Sequence, residues 1–178
     1  MTASRARDED GRPLNRRPRD AAGRPLPPGS EGVERIDESV VLPPAEALTE
    51  AQRLLDAGFP FHAHEVLEGA WKAAPTDERP FWQGLAQLAV GLTHAQRGNA
   101  RGAAALLRRG ADNVSGGARA AGHHGVDAAA VAAWAGSRAD DVETLGLAAT
   151  PSVPTVTLVS PRPGPGKSGP SRSLEEEN

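Results

Sequence analysis

The chain contains no cysteine and no tyrosine, and only Lys72 and Lys167 are lysines among its 178 residues. Without cysteine it can form no disulfide, no thiolate metal site and no cysteine nucleophile. Its formal charge of −3 argues against a broad basic face, and its 3% of aromatic residues argues against base stacking. We therefore expect no nucleic-acid partner.

Long apolar runs are also missing from the sequence. No stretch is long enough to span a bilayer, and no apolar segment follows the first arginines, as a secretory signal would require. We therefore expect no membrane partner and a cytoplasmic location.

Proline and glycine divide the chain into three parts. Residues 1–43 and 146–178 mix them with charges and show no helical periodicity, so neither part can bury enough apolar surface to offset the entropy of ordering. We expect an extended, disordered arm and a disordered tail outside the core, with only residues 156–159 suited to a short strand. Residues 44–145 have the apolar spacing of helices and are predicted to form one helical-bundle domain.

Five helices are predicted within this domain from apolar residues that recur every three or four positions. They cover about residues 45–57, 60–74, 79–97, 100–114 and a segment that starts after residue 126. In the first helix one apolar stripe is predicted, which consists of Ala47, Leu48, Ala51, Leu54 and Leu55, and Gly58 ends the helix. Asp77 is the expected N-cap of the third helix. The glycine-rich segment 115–125, which carries His123 and His124, is interpreted as a solvated loop.

An internal repeat appears when the chain is laid on itself with an offset of 40 residues. Gly58 then falls on Gly98, and Ala63 falls on Ala103. A helix, a glycine turn and a second helix entered by a small residue resemble the hairpins of tetratricopeptide repeats. Because two copies are too few for a solenoid, we predict an all-α, compact bundle of such hairpins.

Polar residues in the second and third helices form the candidate site. His64, Glu68 and Trp71 follow one another at i, i+4 and i+7, and therefore share one helical face. A second polar row stands among small residues on the third helix and consists of Gln83, Gln87 and His94. If the two helices pair in an antiparallel hairpin, Glu68 lies opposite Gln87. The same pairing brings His64 towards His94, and a polar cluster in the seam follows.

The pattern His-x3-Glu-x2-Trp at His64, Glu68 and Trp71 resembles the signature of a bacterial and archaeal family known as domain of unknown function 309. The third-helix segment WQGLAQLAVGLTHAQRGN and the following Gly102-Ala103 extend the resemblance to about residues 45–115. The arm segment PRDAAGRPLPPG is also similar to that of actinobacterial members. The resemblance implies an all-α fold and a metal role for the signature that is undemonstrated, and it implies no activity.

Two interpretations of the cluster stay open. In the structural one, His64 and Glu68 hydrogen-bond to each other and to Gln87, with Glu65 and Gln83 in support, because buried polar groups are costly unless paired. Trp71 is then a core residue. The repeat positions equivalent to His64 and Glu68 are Ala104 and Arg108, so a hairpin packs without this pair.

In the second interpretation the cluster holds a divalent metal ion, although no cofactor is certain. His64 and Glu68 have the i, i+4 spacing that lets two side chains reach one ion, and His94 is the best third ligand. Glu65 and His62 are poorer candidates, because they point away from His64 around the helix. A zincin protease is not expected, since its motif requires histidine where Glu68 stands.

The function is therefore that of an uncharacterised helical protein with a polar cluster as a candidate metal site. The alternative is a non-enzymatic, repeat-like binding module in which the cluster is a structural network, since tetratricopeptide-like hairpins present grooves to peptides. The sequence identifies no catalytic residue and leaves enzymatic activity undecided. A protein partner and self-association both stay open.

Overall fold

The computed structural model describes residues 18–33, 40–146 and 156–158. Six helices run through them in the order α1 (Pro44–Asp56), α2 (Pro60–Ala73), α3 (Arg79–Gln96), α4 (Ala100–Gly116), α5 (Ala118–His123) and α6 (Ala128–Leu145). These described segments contain no strand and only one isolated bridge, between Arg19 and Pro25. The predicted all-α bundle is confirmed.

Successive helices pack side by side, α1 on α2, α2 on α3 and α3 on α4, and α6 then packs on α4. The equivalent glycines of the repeat, Gly58 and Gly98, reverse the chain after α1 and α3 with φ angles of 77° and 83°. Only glycine adopts this left-handed conformation without a steric penalty. In the described part of the chain, no helix has both the length and the apolar character needed to cross a membrane.

Proline and short polar residues set the starts of the helices. A proline stands in the first turn of α1, α2 and α3, where its missing N–H costs nothing. The side chains of Asn99 and Asp127 cap α4 and α6 by accepting from Gly102 N and Ala130 N, each at 2.9 Å.

The predicted capping role of Asp77 is wrong. The residue before α3 is Glu78, and its side chain does not cap the helix. The carbonyl of Pro75 accepts from the backbone N–H groups of Glu78 and Arg79 at 3.0 and 3.1 Å. A tight turn that begins at Pro75 therefore leads directly into α3, and Asp77 lies within this turn rather than at the N-cap.

The core contains the predicted apolar face of α1, whose five buried residues are Ala47, Leu48, Ala51, Leu54 and Leu55. One predicted core residue is less buried than expected, because Trp71 is only partly covered. The indole that fills the core is instead Trp82, which is 1% exposed and lies beside the fully buried Phe81.

The glycine-rich segment 115–125, predicted to be a loop, contains the short helix α5. The last predicted helix is present as α6 and extends over 18 residues. Residues 156–158 form no strand, but Val156 and Leu158 are 3% and 2% exposed and belong to the core. Val159 lies outside the described residues.

Part of the predicted arm packs against the bundle. Within residues 18–33, the chain makes a turn at Gly23, which is buried and has a φ of 73°. This turn contacts α2 and α3, so the arm is not extended throughout. The predictions for residues 1–17, 34–39, 147–155 and 159–178 concern parts of the chain outside the described residues.

Candidate functional site

One face of α2 carries a row of three polar side chains, His64, Glu68 and Lys72, which we call the α2 row. Glu68 stands one turn after His64 and one turn before Lys72, so helical spacing brings its carboxylate against both. Glu68 Oε2 lies 3.4 Å from His64 Nε2, and Glu68 Oε1 lies 3.0 Å from Lys72 Nζ. Lys72 was not predicted, although its i, i+4 spacing after Glu68 could have identified it.

The three side chains become more exposed along the row, from 26% for His64 through 35% for Glu68 to 67% for Lys72. Burial lowers the pKa of His64 below 6.5, against the opposing effects of Glu68, Glu65 and the backbone of Ala86. Its imidazole is therefore mainly neutral at pH 7. His64 Nδ1 is buried and has no hydrogen-bond partner of normal geometry.

The predicted partners on α3 serve a different interface. Gln87 Oε1 accepts a hydrogen bond from Asn113 Nδ2 of α4 at 2.9 Å. His94 Nδ1 lies 2.9 Å from Asn99 Nδ2 at the start of α4. A Cβ added to Gly102 of α4 would collide with His94 Nδ1. Neither side chain joins Glu68 or His64 in the α2–α3 seam.

The reason lies in the small residues of α3. One stripe of this helix faces α4 and consists of Gly84, Gln87, Gly91 and His94. The glycines allow α4 to approach, and the polar residues between them follow the same face. The expected Glu68–Gln87 pairing assigned this stripe to α2, but α3 uses it for α4.

The remaining predicted supports are placed separately. Glu65 Oε2 lies 3.3 Å from Nδ1 of the buried His62, Gln83 is partly buried, and Trp71 packs against the core from the side. Among the residues that the structure describes, no group of three or more histidine, aspartate and glutamate side chains has an arrangement suited to a metal ion. His64 and Glu68 supply two ligands, and metal binding by them stays a prediction.

A second polar cluster was missed by the sequence reasoning. His124, expected in a solvated loop, is 13% exposed, and its Nε2 lies 2.8 Å from Glu78 Oε2. Trp82 Nε1 donates to the same oxygen at 3.4 Å, and the His124 ring stacks on Phe81 at 5.8 Å. The hydrogen bond from His124 lowers the pKa of Glu78. Because 46 residues separate the two partners, no local signal could have indicated the contact.

Comparison with known proteins assigns the helices around the α2 row to a family. Residues 48–106 match the family described as domain of unknown function (DUF309), a segment that runs from α1 into α4. The resemblance recognised in the sequence is thereby confirmed, and the matched segment contains the whole α2 row.

A similar protein is the Uncharacterized protein YpuF of Bacillus subtilis (strain 168), which is 46% identical over 48 residues. The match covers 26% of this chain and 28% of YpuF, so the chain spans little more than a quarter of that relative's length. No solved structure matches the chain at a significant level.

Proposed function

We propose that this protein is a non-enzymatic helical binding module that recognises non-helical polypeptide segments. One observation carries the proposal: within the described chain, the bundle already holds two non-helical segments of its own. They are the arm segment 18–33 and the short segment 156–158. Both are bound through their main-chain groups by side chains of the helices, a mode of recognition that tolerates many peptide sequences.

The segment 156–158 illustrates this mode on α1. Val156 and Leu158 are buried whereas the residue between them is exposed, the alternation typical of an extended peptide. The backbone N–H of Leu158 donates to Gln52 Oε1 at 2.6 Å. An apolar side chain at every second position and one main-chain hydrogen bond thus hold the segment against the helix.

The arm segment is held at the α2–α3 end of the bundle. Arg97 Nε donates to the carbonyl of Ala22 at 2.9 Å, and His62 Nε2 lies 3.3 Å from the carbonyl of Asp20. Here the bundle supplies the side chains and the arm segment supplies main-chain acceptors, whereas Leu158 supplies a main-chain donor to Gln52. Two independent surfaces that bind main-chain groups support a binding function.

In this proposal the α2 row is structural. Both carboxylate oxygens of Glu68 are engaged, one by His64 and the other by Lys72. The row therefore orders side chains along one face of α2, and it acts on no substrate. Its contribution to stability is modest because Lys72 is largely exposed.

The test is a selection from a random peptide library on the full-length chain, followed by calorimetric titration of the selected peptides. We expect peptides that bind the wild-type chain and lose affinity in Gln52→Ala or Arg97→Ala. Arg101→Ala, an exposed change on α4, is the control. Failure to select any peptide, or equal binding by all three variants, would refute the binding function.

A divalent metal at His64 and Glu68 is a second candidate function. Its specific support is that burial lowers the pKa of His64, which keeps the imidazole in the neutral form that binds metals. Lys72 competes for Glu68, so Lys72→Met should strengthen metal binding whereas His64→Ala should abolish it. Thermal melting with zinc and with a chelator decides the question, and equal midpoints for the wild-type chain would contradict metal binding.

A further inference from the structure

The arm segment presents one tight turn to the bundle, residues 19–24, which we call the arm turn. The turn is closed by main-chain hydrogen bonds from Gly23 N to Asp20 O at 2.9 Å and from Asp20 N to Arg24 O at 3.0 Å. Asp20 Oδ1 also accepts from Arg24 N at 2.7 Å. The positive φ of Gly23, 73°, makes glycine the favoured residue at this point. The turn therefore has a defined shape of its own.

The turn rests on three side chains, Phe61, His62 and Arg97, which we call the arm site. Two guanidinium groups lie near the Phe61 ring, with Arg19 Cζ 5.0 Å and Arg97 Cζ 5.6 Å from the ring centroid. Both distances are within the range of cation–π attraction. Gly23 sits directly on the ring, because a Cβ at this position would overlap Phe61.

The contacts select a particular peptide chemistry. An arginine is needed to stack on Phe61, and a glycine four residues later is needed to approach the ring. The same arginine joins the two positions, since Arg19 Nη1 donates to Gly23 O at 2.5 Å. The other contacts go to main-chain carbonyls and depend little on side-chain identity. The arm site is thus matched to a turn of the type Arg-x-x-x-Gly.

The docking is local. Gly23 is buried, but Arg24, the following residues 25 and 27–29, and Arg97 are exposed. A segment held by few contacts at the surface opens more readily than the core. The covalent link to α1 raises the effective concentration of the chain's own turn, and a second chain offers the same turn with the same chemistry.

We propose that the arm site is a peptide-docking site in which the arm turn of a second copy of this chain exchanges with the chain's own turn. This inference rests on the proposed binding function and names its ligand class, a tight Arg-x-x-x-Gly turn. Exchange joins two copies through the arm without requiring any new interface.

Gly23→Ala separates the site from its resident ligand in a full-length chain. The substitution prevents the chain's own turn from docking, because the added Cβ overlaps Phe61, and it leaves the arm site unchanged. Gly29→Ala is the matched control: Gly29 also has a positive φ, 85°, but no atom lies within 4 Å of the added Cβ.

The first measurement is fluorescence anisotropy with a labelled synthetic peptide of residues 18–33. We expect the Gly23→Ala chain to bind it about 10-fold or more tightly than the wild-type chain, whose own turn competes at an effective concentration on the order of 1 mM. The Gly29→Ala chain should behave as wild type. Adding Arg97→Met to the Gly23→Ala chain should weaken binding, because it removes the bond to the Ala22 carbonyl.

The second measurement mixes two full-length variants. A Gly23→Ala chain has a free site and a disabled turn, whereas a Phe61→Ala chain has an intact turn and a disabled site. We expect a 1:1 complex in the mixture by light scattering, and monomers when Gly29→Ala replaces Gly23→Ala. The peptide measurement remains decisive if Phe61→Ala does not fold.

The inference is overturned if the Gly23→Ala chain fails to bind the peptide at about 1 mM, the range set by a short tether. It is equally overturned if a peptide carrying alanine at position 23 binds as well. If library peptides bind while the arm peptide does not, this inference fails and the proposed binding function stands. Failure of both would reject the two together.

Discussion

Replacing Gly84 with alanine should destabilise the bundle, because this residue lies where α3 and α4 approach most closely. A Cβ at position 84 would stand 2.8 Å from Val114 N and 2.9 Å from Gly110 O. Both are backbone atoms of α4, so no side-chain rotation relieves the contact. The approach is reciprocal, since a Cβ at Gly110 would stand 3.0 Å from Gly84 O.

The magnitude follows from two opposing effects. Ordinary contact begins at 3.4 Å, so the helices must separate by roughly 0.6 Å, and overpacking of this kind costs about 1–3 kcal/mol. Alanine is favoured over glycine within a helix by about 1 kcal/mol. We therefore expect a net loss of up to about 2 kcal/mol in the free energy of unfolding.

Gly69→Ala is the control, because Gly69 also lies inside a helix but no atom stands within 4 Å of the added Cβ. This variant should gain up to about 1 kcal/mol from helix propensity alone. Urea denaturation followed by circular dichroism measures both changes from the midpoint at constant slope. A Gly84→Ala chain as stable as Gly69→Ala would refute the close approach of α3 and α4.

Three further predictions concern the core and the titrating groups. Trp82→Ala should lower the free energy of unfolding by about 3–5 kcal/mol, as expected for a buried aromatic residue. Trp71 is partly exposed, so Trp71→Ala should lower it by less. Equal losses in urea denaturation would contradict this order of burial. Because burial lowers the pKa of His64 in the folded state, the unfolded chain binds the proton more readily, so stability should fall as the pH drops below 6.5. His64→Gln should flatten this part of a melting profile against pH, and an unchanged slope would show that another group titrates. The hydrogen bond with His124 lowers the pKa of Glu78 below 4.5. The ionised carboxylate therefore stabilises the fold above pH 4.5, and this contribution is lost on acidification. A carboxyl titration by NMR should show the pKa of Glu78 rising in His124→Ala.

Local features of the sequence account for most of the helical architecture. In α1 the apolar spacing predicted every buried residue, and Gly58 marked the end of the helix. Helix periodicity and turn chemistry act over a few residues and can therefore be read without knowledge of the fold. The same holds for the contact of His64 with Glu68, which the i, i+4 spacing alone predicts.

The pairing of faces was decided by tertiary structure alone. The stripe that contains Gln87 and His94 could serve either neighbour of α3, and only packing shows that its glycines admit α4. Contacts over long separations are equally invisible in sequence: Arg97 reaches Ala22 across 75 residues, and His124 reaches Glu78 across 46. Periodicity determines which residues a helix buries, but the shape of its neighbours determines what those residues meet.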